Sequence, residues 1–336
     1  MSSGIFFDFI LYPYTNKIMK NIYLNIYKPN RTNLIKAKKN IENNNVIGIP
    51  TETVYGLAGN AYSNKSIKKI FTLKKRPYYN PLIIHFSNLK KLRKDVVLNN
   101  TFLKLYKAFC PGPITFILKK NPKSEISDMA TARKNTVAVR FPKHKVVRKL
   151  LSLLNVPLAA PSANISSRLS PTSSNDVADE FKNKIKFILD GGRSRIGLES
   201  TIIDLTTSPK ILRHGFITPE KISKILKTKI EINKRVKKIK SPGQLKLHYS
   251  PGIPVRIGMQ IPKKSDAVIG FGKRFKTKKN HFNLSKNGNL NEAANSLYRT
   301  LRKIKNNGFK SIIVNKIPNL GIGIAINDRL KKASNK

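Results

Sequence analysis

The stretch FTLKKRPYYNPLIIHF, residues 71–86, runs from the end of a helix through a basic turn into a buried strand. Two prolines frame the turn, and each fixes its own φ and restricts the residue before it. The turn therefore holds Lys74, Arg76 and Asn80 in place beside the core. Confining cations costs side-chain entropy and mutual repulsion, which a bound anion would offset. The stretch predicts an anion site where a helix meets a sheet; the alternative is a solvated basic turn in a lysine-rich chain.

Segments with helical periodicity alternate with apolar, strand-like runs around this stretch. Residues 66–75 have the spacing of an amphipathic helix, and 81–86 and 114–120 have the composition of buried strands. Residues 136–142 alternate apolar and polar side chains, as a half-buried strand does. Such alternation favours an α/β fold, in which helices cover a sheet.

The pattern weakens after residue 226, where a lysine-rich, polar run leads into SPGQLKLHYSPGIP with its Ser-Pro and Pro-Gly turn signals. A second alternation of strands and helices follows, including a long amphipathic helix that Gly308 should end. The predicted divisions are an N-terminal extension at 1–27, a first α/β domain at 28–226, a linker at 227–252 and a smaller α/β domain at 253–336.

The first 18 residues are aromatic and carry an acidic residue inside their apolar stretch, which is unlike a signal peptide. Met19 follows directly and begins a segment that is itself a reasonable start. We therefore expect 1–18 to be a mis-called start or a dispensable extension, with a targeting role as the alternative.

Composition bounds the class of protein. The chain of 336 residues has 66 basic and 17 acidic residues, a net charge of +49. That balance is typical of proteins with a polyanionic partner, but the lysines are scattered over every segment, as a genome-wide compositional bias would also leave them. The single cysteine, Cys110, excludes a disulfide framework and any multi-cysteine metal site. So few thiols favour a reducing compartment, and no apolar run approaches the ~20 residues of a spanning helix. We therefore expect a cytoplasmic protein without membrane contact.

Several polar residues follow predicted strands, at the edge where open α/β sheets collect ligands. Thr53 lies in PTETVYGL, and Arg140 ends the strand at 136–142. Further candidates lie in the loop APSANISSRLSPT, in LESTIIDL and in ILRHG; they are Ser162, Asn164, Ser170, Ser200 and Arg213.

These motifs together resemble one family. Lys74-x-Arg76 followed by Ser162-x-Asn164 is similar to the KxR…SxN signature of the Sua5/YrdC/YciO family. PTETVYGL, RPYYNPLIIH, PGPITFIL, VAVRFP, APSANIS and ESTIID match its pattern in order, and SPGQLKLHYSP and GIGIAINDRL resemble the longer, two-domain Sua5 form. The resemblance covers about residues 28–333; one departure is His214, where the family pattern has proline.

The resemblance implies both a fold and an activity. The fold would be a YrdC-like twisted mixed sheet covered by helices, followed by a smaller C-terminal Rossmann-like α/β domain of the Sua5 type. The activity would be that of an L-threonylcarbamoyladenylate synthase, a nucleotidyltransferase that forms threonylcarbamoyl-AMP and pyrophosphate from L-threonine, bicarbonate and ATP. Mg²⁺ would accompany ATP as cofactor. The product would pass to a downstream threonylcarbamoyl transferase that modifies adenosine 37 of tRNAs reading ANN codons, and direct tRNA contact is a further possible partner interaction.

The resemblance also assigns roles to individual residues, with no metal ligand among them. The catalytic pair would be Lys74 and Arg76. The ATP-binding residues would be Arg76, Asn80, Thr136, Ser162, Asn164, Ser170, Arg213 and Tyr249. The threonine-binding residues would be Thr53, His85, Arg140, Ala160 and Ser200.

The linker carries apolar groups that a passive tether would not need, Leu245, Leu247 and Tyr249, and it is stiffened by prolines. We expect it to fold over the first domain as a lid, with Tyr249 reaching the nucleotide; a fixed strut between domains is the alternative. Two other functions remain open. One is a tRNA or double-stranded RNA binding protein that uses a basic concave face. The other is the carbamoyl-transfer module of hydrogenase maturation, which the missing zinc-finger cysteines disfavour.

Overall fold

The computed structural model describes residues 23–232, 241–243, 248–258 and 260–334, which form two α/β units. The helices are α1 (Arg31–Glu42), α2 (Asn64–Lys74), α3 (Leu89–Leu92), α4 (Asn100–Phe109), α5 (Asp128–Thr131), α6 (Lys145–Leu153), α7 (Ser174–Phe181), α8 (Pro219–Leu226), α9 (Leu290–Asn306) and α10 (Gly323–Ser334). A short 3₁₀ turn spans Lys182–Lys184.

The strands are short, with two to six residues each. They are β1 (Ile26–Tyr27), β2 (Ile47–Ile49), β3 (Gly56–Asn60), β4 (Ile83–His85), β5 (Ile114–Lys119), β6 (Thr136–Arg140), β7 (Leu158–Ala159), β8 (Ile188–Leu189), β9 (Thr201–Asp204), β10 (Lys210–Arg213), β11 (Glu231–Ile232), β12 (Val255–Ile257), β13 (Asp266–Gly270), β14 (His281–Asn283) and β15 (Ser311–Val314).

The larger sheet has the order β1-β8-β2-β3-β7-β4-β6-β5-β9-β10-β11 and mixes parallel and antiparallel pairs. Its central strands β4 and β6 run parallel, with His85 beside Arg140 in register. Strand β5 pairs antiparallel with β6 and parallel with β9. This register brings the carboxyl ends of β4 and β6 to one edge, next to the start of β5. The mixed sheet predicted from the family resemblance is confirmed.

The smaller unit has four parallel strands in the order β12-β15-β13-β14, with α9 between β14 and β15 and α10 after β15. Its core is formed by apolar residues of these strands and the inner faces of the two helices, including Ile269, Leu297 and Ile326. The same apolar cluster contains Val54, Leu169 and Leu198 of the first unit. The two units therefore share packed apolar surface.

The structure explains why the opening stretch turns where it does. Helix α2 begins at the Ser63 cap, whose side chain accepts a hydrogen bond from the Ser66 amide, and ends at Lys75 in a left-handed conformation. Pro77 cannot continue a helix, so the chain leaves α2 as a turn and enters β4. Every element predicted in this region is present.

Sequence patterns predicted the longer elements and missed short ones such as α3 and α5, which have too few residues for a period to be visible. Strand β1 lies inside the range assigned to the N-terminal extension and pairs with β8. Strand β11 lies inside the range assigned to the linker and pairs with β10. Across the described ranges, no helix is both long and apolar enough to span a membrane.

Candidate active site

The turn after α2 is held together by Arg76. Its Nε donates to the Asn80 carbonyl oxygen (2.9 Å), and one terminal nitrogen donates to Asn80 Oδ1 (2.5 Å) and the Pro81 carbonyl oxygen (2.8 Å). The side chain is buried, yet it lines a cavity. The prolines lie within this turn, and the arginine ties the ends of the turn together.

Lys74 points toward a different loop. Its Nζ donates to the carbonyl oxygens of Ser162 (2.6 Å) and Asn164 (2.5 Å), and the side chain is only 1% exposed. Burial, and then the charge of Arg76, lower the pKa of the Lys74 ammonium well below its usual range. The two residues of the KxR pattern therefore fix two walls of one site: Lys74 holds the 162–164 loop, and Arg76 holds its own turn.

The carboxyl ends of β4 and β6 present His85 and Arg140. Arg140 forms a buried ion pair with Glu52 at 2.7 Å, while its Nε has no hydrogen-bond partner within the described part of the chain. Burial alone would raise the pKa of Glu52, but the charge of Arg140 and its hydrogen bond more than offset this, so the pKa is lowered. Both ring nitrogens of His85 also have no partner among the described residues. Burial lowers the pKa of His85 well below its usual range, so the ring is neutral at pH 7.

Strands β9 and β10 add a third arginine. Arg213 Nε donates to the Ser200 carbonyl oxygen (3.0 Å), and a terminal nitrogen donates to Ser200 Oγ (3.1 Å). Ser200 Oγ lies 2.7 Å from Thr115 Oγ1. Burial and, after it, the positive charge of Arg213 lower the pKa of Arg76 to about 9. Arg76 and Arg213 line the same cavity, and an anion bound there would offset the repulsion between their charges.

The three arginines and His85 line one cavity. It is lined by Thr51, Val54, Tyr55, Gly56, Arg76, Ile83, His85, Arg140, Ala160, Pro161, Ser162, Glu199, Arg213, Pro242, His248 and Tyr249. The enclosed volume is about 40 Å³, far below the ~300–1,000 Å³ of small-molecule pockets. Pro242, His248 and Tyr249 of the linker form one wall of this cavity, which is too small for a substrate as it stands.

The linker lies close to the arginines. At Gly243 φ is +85°, and a Cβ there would lie 2.8 Å from Arg213 Cδ and 2.9 Å from Tyr249 Oη. Tyr249 is buried, and its hydroxyl has no hydrogen-bond partner among the residues that the structure describes. Leu245, Leu247 and the lysine-rich run before Ser241 lie outside the described residues.

The structure brings together most residues that the sequence predicted. Seven line the cavity: Arg76, His85, Arg140, Ala160, Ser162, Arg213 and Tyr249. Others lie behind its walls, bonded to residues in or next to them: Lys74, Asn80, Asn164, Ser170, Ser200 and, through Thr51 at 2.9 Å, Thr53. Thr136 begins β6, at the opposite end of that strand from Arg140, and is not among the lining residues.

Sequence reasoning missed three ionisable groups that the structure brings to the site: Glu52, Glu199 and His248. Glu52 and Glu199 each lie inside a quoted motif, and a carboxylate beside an apolar run in a chain with few acidic residues is a signal that could have been used. His248 gave no such signal. Burial lowers the pKa of His248 to about 3, so its ring is neutral.

The site offers cations and hydrogen-bond donors rather than metal ligands. Within the described ranges, no group of three or more His, Cys, Asp or Glu side chains is arranged to hold a metal ion. Three buried arginines, a neutral histidine and the hydroxyl groups of the strand ends suit a substrate that carries several negative charges.

Two protein-family models match this chain. A family model of Sua5, YciO and YrdC proteins, described as "Telomere recombination", matches residues 39–215. A second, described as "Threonylcarbamoyl-AMP synthase, C-terminal domain", matches residues 217–335.

Individual relatives match over most of their length. A Pyrococcus abyssi protein named threonylcarbamoyl-AMP synthase is 38% identical over 320 residues, which cover 88% of this chain and 92% of that protein. A Bacillus subtilis protein of the same name is 34% identical, with 91% and 94% covered. The crystal structure of P. abyssi Sua5 complexed with L-threonine superposes with a TM-score of 0.84 at 34% identity, covering 92% of this chain and 96% of that one. The chain therefore belongs to the Sua5/YrdC/YciO family, in its two-domain Sua5 form.

Proposed function

We propose that this protein is an L-threonylcarbamoyl-AMP synthase, a nucleotidyltransferase that uses L-threonine, bicarbonate and ATP and releases pyrophosphate. The observation that carries the proposal is the convergence of Arg76, Arg140 and Arg213 on one cavity in a chain of this family. Relatives of that name match almost the whole chain, and P. abyssi Sua5 has been crystallised with L-threonine.

The chemistry joins two anions, and the site is suited to that problem. Bicarbonate loses water to give CO₂, and the threonine amine attacks its carbon and loses a proton, which forms the carbamate. A carbamate oxygen then attacks the α-phosphorus of ATP. The new O–P bond forms as the bond from the α-phosphorus to the bridging oxygen breaks, and pyrophosphate leaves with that electron pair. Charge neutralisation and alignment supply most of the catalysis in such a step, so the reaction needs no side-chain nucleophile.

We propose that threonine binds at the carboxyl ends of β4 and β6. Arg140 is the natural partner of its carboxylate, because a guanidinium pairs with a carboxylate through two parallel hydrogen bonds and Arg140 Nε is not already engaged within the described residues. The neutral His85 ring can donate a hydrogen bond to the amino acid or accept one from it. Thr53, Ala160 and Ser200 complete this proposed subsite.

We propose that ATP lies on the other side, against Arg76 and Arg213. Both arginines have depressed pKa values through burial, and a triphosphate would relieve that penalty by pairing with them. Ser162 and Tyr249 line the same cavity. Asn80, Asn164 and Ser170 support its walls, and Lys74 acts through the loop that it holds. Mg²⁺ would arrive with ATP, since the phosphate oxygens supply ligands of the type it prefers.

We propose that the adenylate passes to a transferase that modifies adenosine 37 of tRNAs reading ANN codons. The reactive product favours a closed site, because water would destroy both the carbamate and the adenylate. Closure by the linker is consistent with Pro242, His248 and Tyr249 forming one wall of the cavity.

Mass spectrometry of the full chain mixed with ATP, L-threonine and ¹³C-bicarbonate tests the proposal. Threonylcarbamoyl-AMP with one heavy carbon is expected, together with pyrophosphate, and each should vanish when threonine is omitted. Retention of RNA without any adenylate would overturn the proposal in favour of an RNA-binding protein.

A further inference from the structure

The cavity contains a negative charge where ATP would have to bind. Glu199 lines the cavity together with Arg76 and Arg213, and it is 5% exposed. Burial alone would raise its pKa, but the charges of Arg329 and Arg213 and the hydrogen bond from Ser170 lower it, so the carboxylate is ionised. An uncompensated carboxylate beside a triphosphate would weaken ATP binding by like-charge repulsion.

Both oxygens of this carboxylate are engaged, mainly by the C-terminal unit. The Tyr298 hydroxyl of α9 lies 3.0 Å from each oxygen, and Arg329 Nε of α10 donates to Oε2 at 3.1 Å. From the first unit, Ser170 Oγ donates to Oε1 at 2.6 Å. Arg329 is itself only 1% exposed. A buried ion pair of this kind is costly to break, because the remaining charge has no water to solvate it.

Arg329 also supports the linker. Its guanidinium carbon lies 5.1 Å from the centre of the Tyr249 ring, in cation–π geometry. One turn further along α10, Lys332 Nζ donates to the Gly243 carbonyl oxygen at 2.9 Å, and the Lys332 carbonyl oxygen accepts from the His248 amide at 3.3 Å. Helix α10 therefore contacts the described linker residues on both sides of 244–247.

We propose that Arg329 is a positioning residue for ATP, supplied by the C-terminal unit: it neutralises and orients Glu199 in the wall of the nucleotide pocket. This inference rests on the proposed function. Without Arg329, the Glu199 carboxylate would rely on Arg213, which lines the same cavity, and would compete with the phosphates for it. The C-terminal unit thus completes the ATP side of the site, although the cationic side chains proposed to contact the phosphates come from the first unit.

The charge argument makes a specific prediction for paired substitutions. Arg329→Gln should raise the Kd of a non-hydrolysable ATP analogue and the KM for ATP at least tenfold, while the KM for threonine changes less than threefold. Adding Glu199→Gln should return the Kd of the analogue and the KM for ATP to within about threefold of wild type, because the carboxylate that repels the phosphates is gone. A residue that served only domain packing would change the KM for threonine together with the KM for ATP.

Arg302→Gln is the matched control. Arg302 also bridges the two units, donating to the Leu169 carbonyl oxygen at 2.8 Å and approaching Asp176 at 3.4 Å, but it does not line the cavity. Arg302→Gln should leave the Kd of the ATP analogue and the KM for ATP within threefold of wild type. If Arg329→Gln does not fold, Glu199→Gln/Arg329→Met, which leaves neither charge, is compared with Glu199→Gln alone; these two should bind the analogue within threefold of each other.

Three results would overturn the inference: unchanged ATP affinity in Arg329→Gln, an equal loss in Arg302→Gln, or no rescue by the second substitution. In the fallback pair, a tenfold difference in analogue affinity would do the same. These failures are distinct from failure of the proposed function, which is read from product formed by the wild-type chain. A wild-type protein that makes the adenylate while Arg329→Gln binds the analogue normally would remove the inference alone.

Discussion

Arg140 provides the sharpest test of the proposed threonine subsite, because it has two partners to satisfy. In the structure it pairs with Glu52 at 2.7 Å, and the two side chains are 5% and 9% exposed. A substrate carboxylate would be a second partner. Arg140→Gln removes both interactions at once, so this variant alone cannot separate a structural role from a binding role.

The expected magnitudes differ for the two roles. Leaving Glu52 as an unpaired buried charge should cost about 3–5 kcal/mol of stability. Losing a charge-assisted hydrogen-bond pair to threonine should cost about 1.5–3 kcal/mol of binding, which is about 10- to 150-fold in the KM for threonine. The KM for ATP should change little, because the proposed triphosphate pairs with Arg76 and Arg213 rather than with Arg140.

The double variant Glu52→Gln/Arg140→Gln separates the roles. It removes the unpaired charge, and the glutamine oxygen can still accept the hydrogen bond that the Lys143 amide gives to Glu52 at 3.0 Å. Denaturant unfolding should therefore show most of the stability restored. Steady-state kinetics at varied threonine should still show the raised KM. If the double variant regains wild-type threonine kinetics, Arg140 is a structural partner of Glu52, and the proposed carboxylate contact is wrong.

Three further predictions concern the turn and the linker. Arg76→Lys keeps one of the three hydrogen bonds, and each of the two acceptors left buried and unpaired costs about 1–3 kcal/mol of stability. Adenylation and ATP affinity should fall at least tenfold, whereas the exposed control Lys75→Gln should change neither by more than twofold. Trypsin should cut near Lys240 and Lys246 in the free protein and be blocked by ATP plus threonine; cutting that ignores both ligands would favour the strut. His248, with its pKa lowered to about 3, contributes stability that is complete above pH 6.5 and lost as the pH falls toward 3, about 2 kcal/mol by pH 5. Hydrogen exchange at its amide, corrected for intrinsic rates, should show faster opening at pH 5 than at pH 6.5, and an equal acceleration in His248→Asn would contradict this.

Much of the fold follows from local patterns. The apolar runs that became β4, β5 and β6 and the amphipathic spacing of α2 and α9 are read within ten to twenty residues, where periodicity reports which face is buried. The prolines at 77 and 81 predict the stiff turn for the same local reason. The ordered motifs of the first domain also indicate the family, and about half of the residues that they single out line one cavity.

Partners that come from distant segments could not be predicted in this way. Glu52 is paired with Arg140, and Glu199 with Arg329 from the far end of the chain. No local pattern encodes these pairings, because charges separated by 88 and 130 residues are brought together only by strand order and by the packing of α10. Arg329 lies within the apolar spacing of α10, so the sequence alone could indicate a buried cation. Only the tertiary structure decided that its partner is a carboxylate in the wall of the active-site cavity.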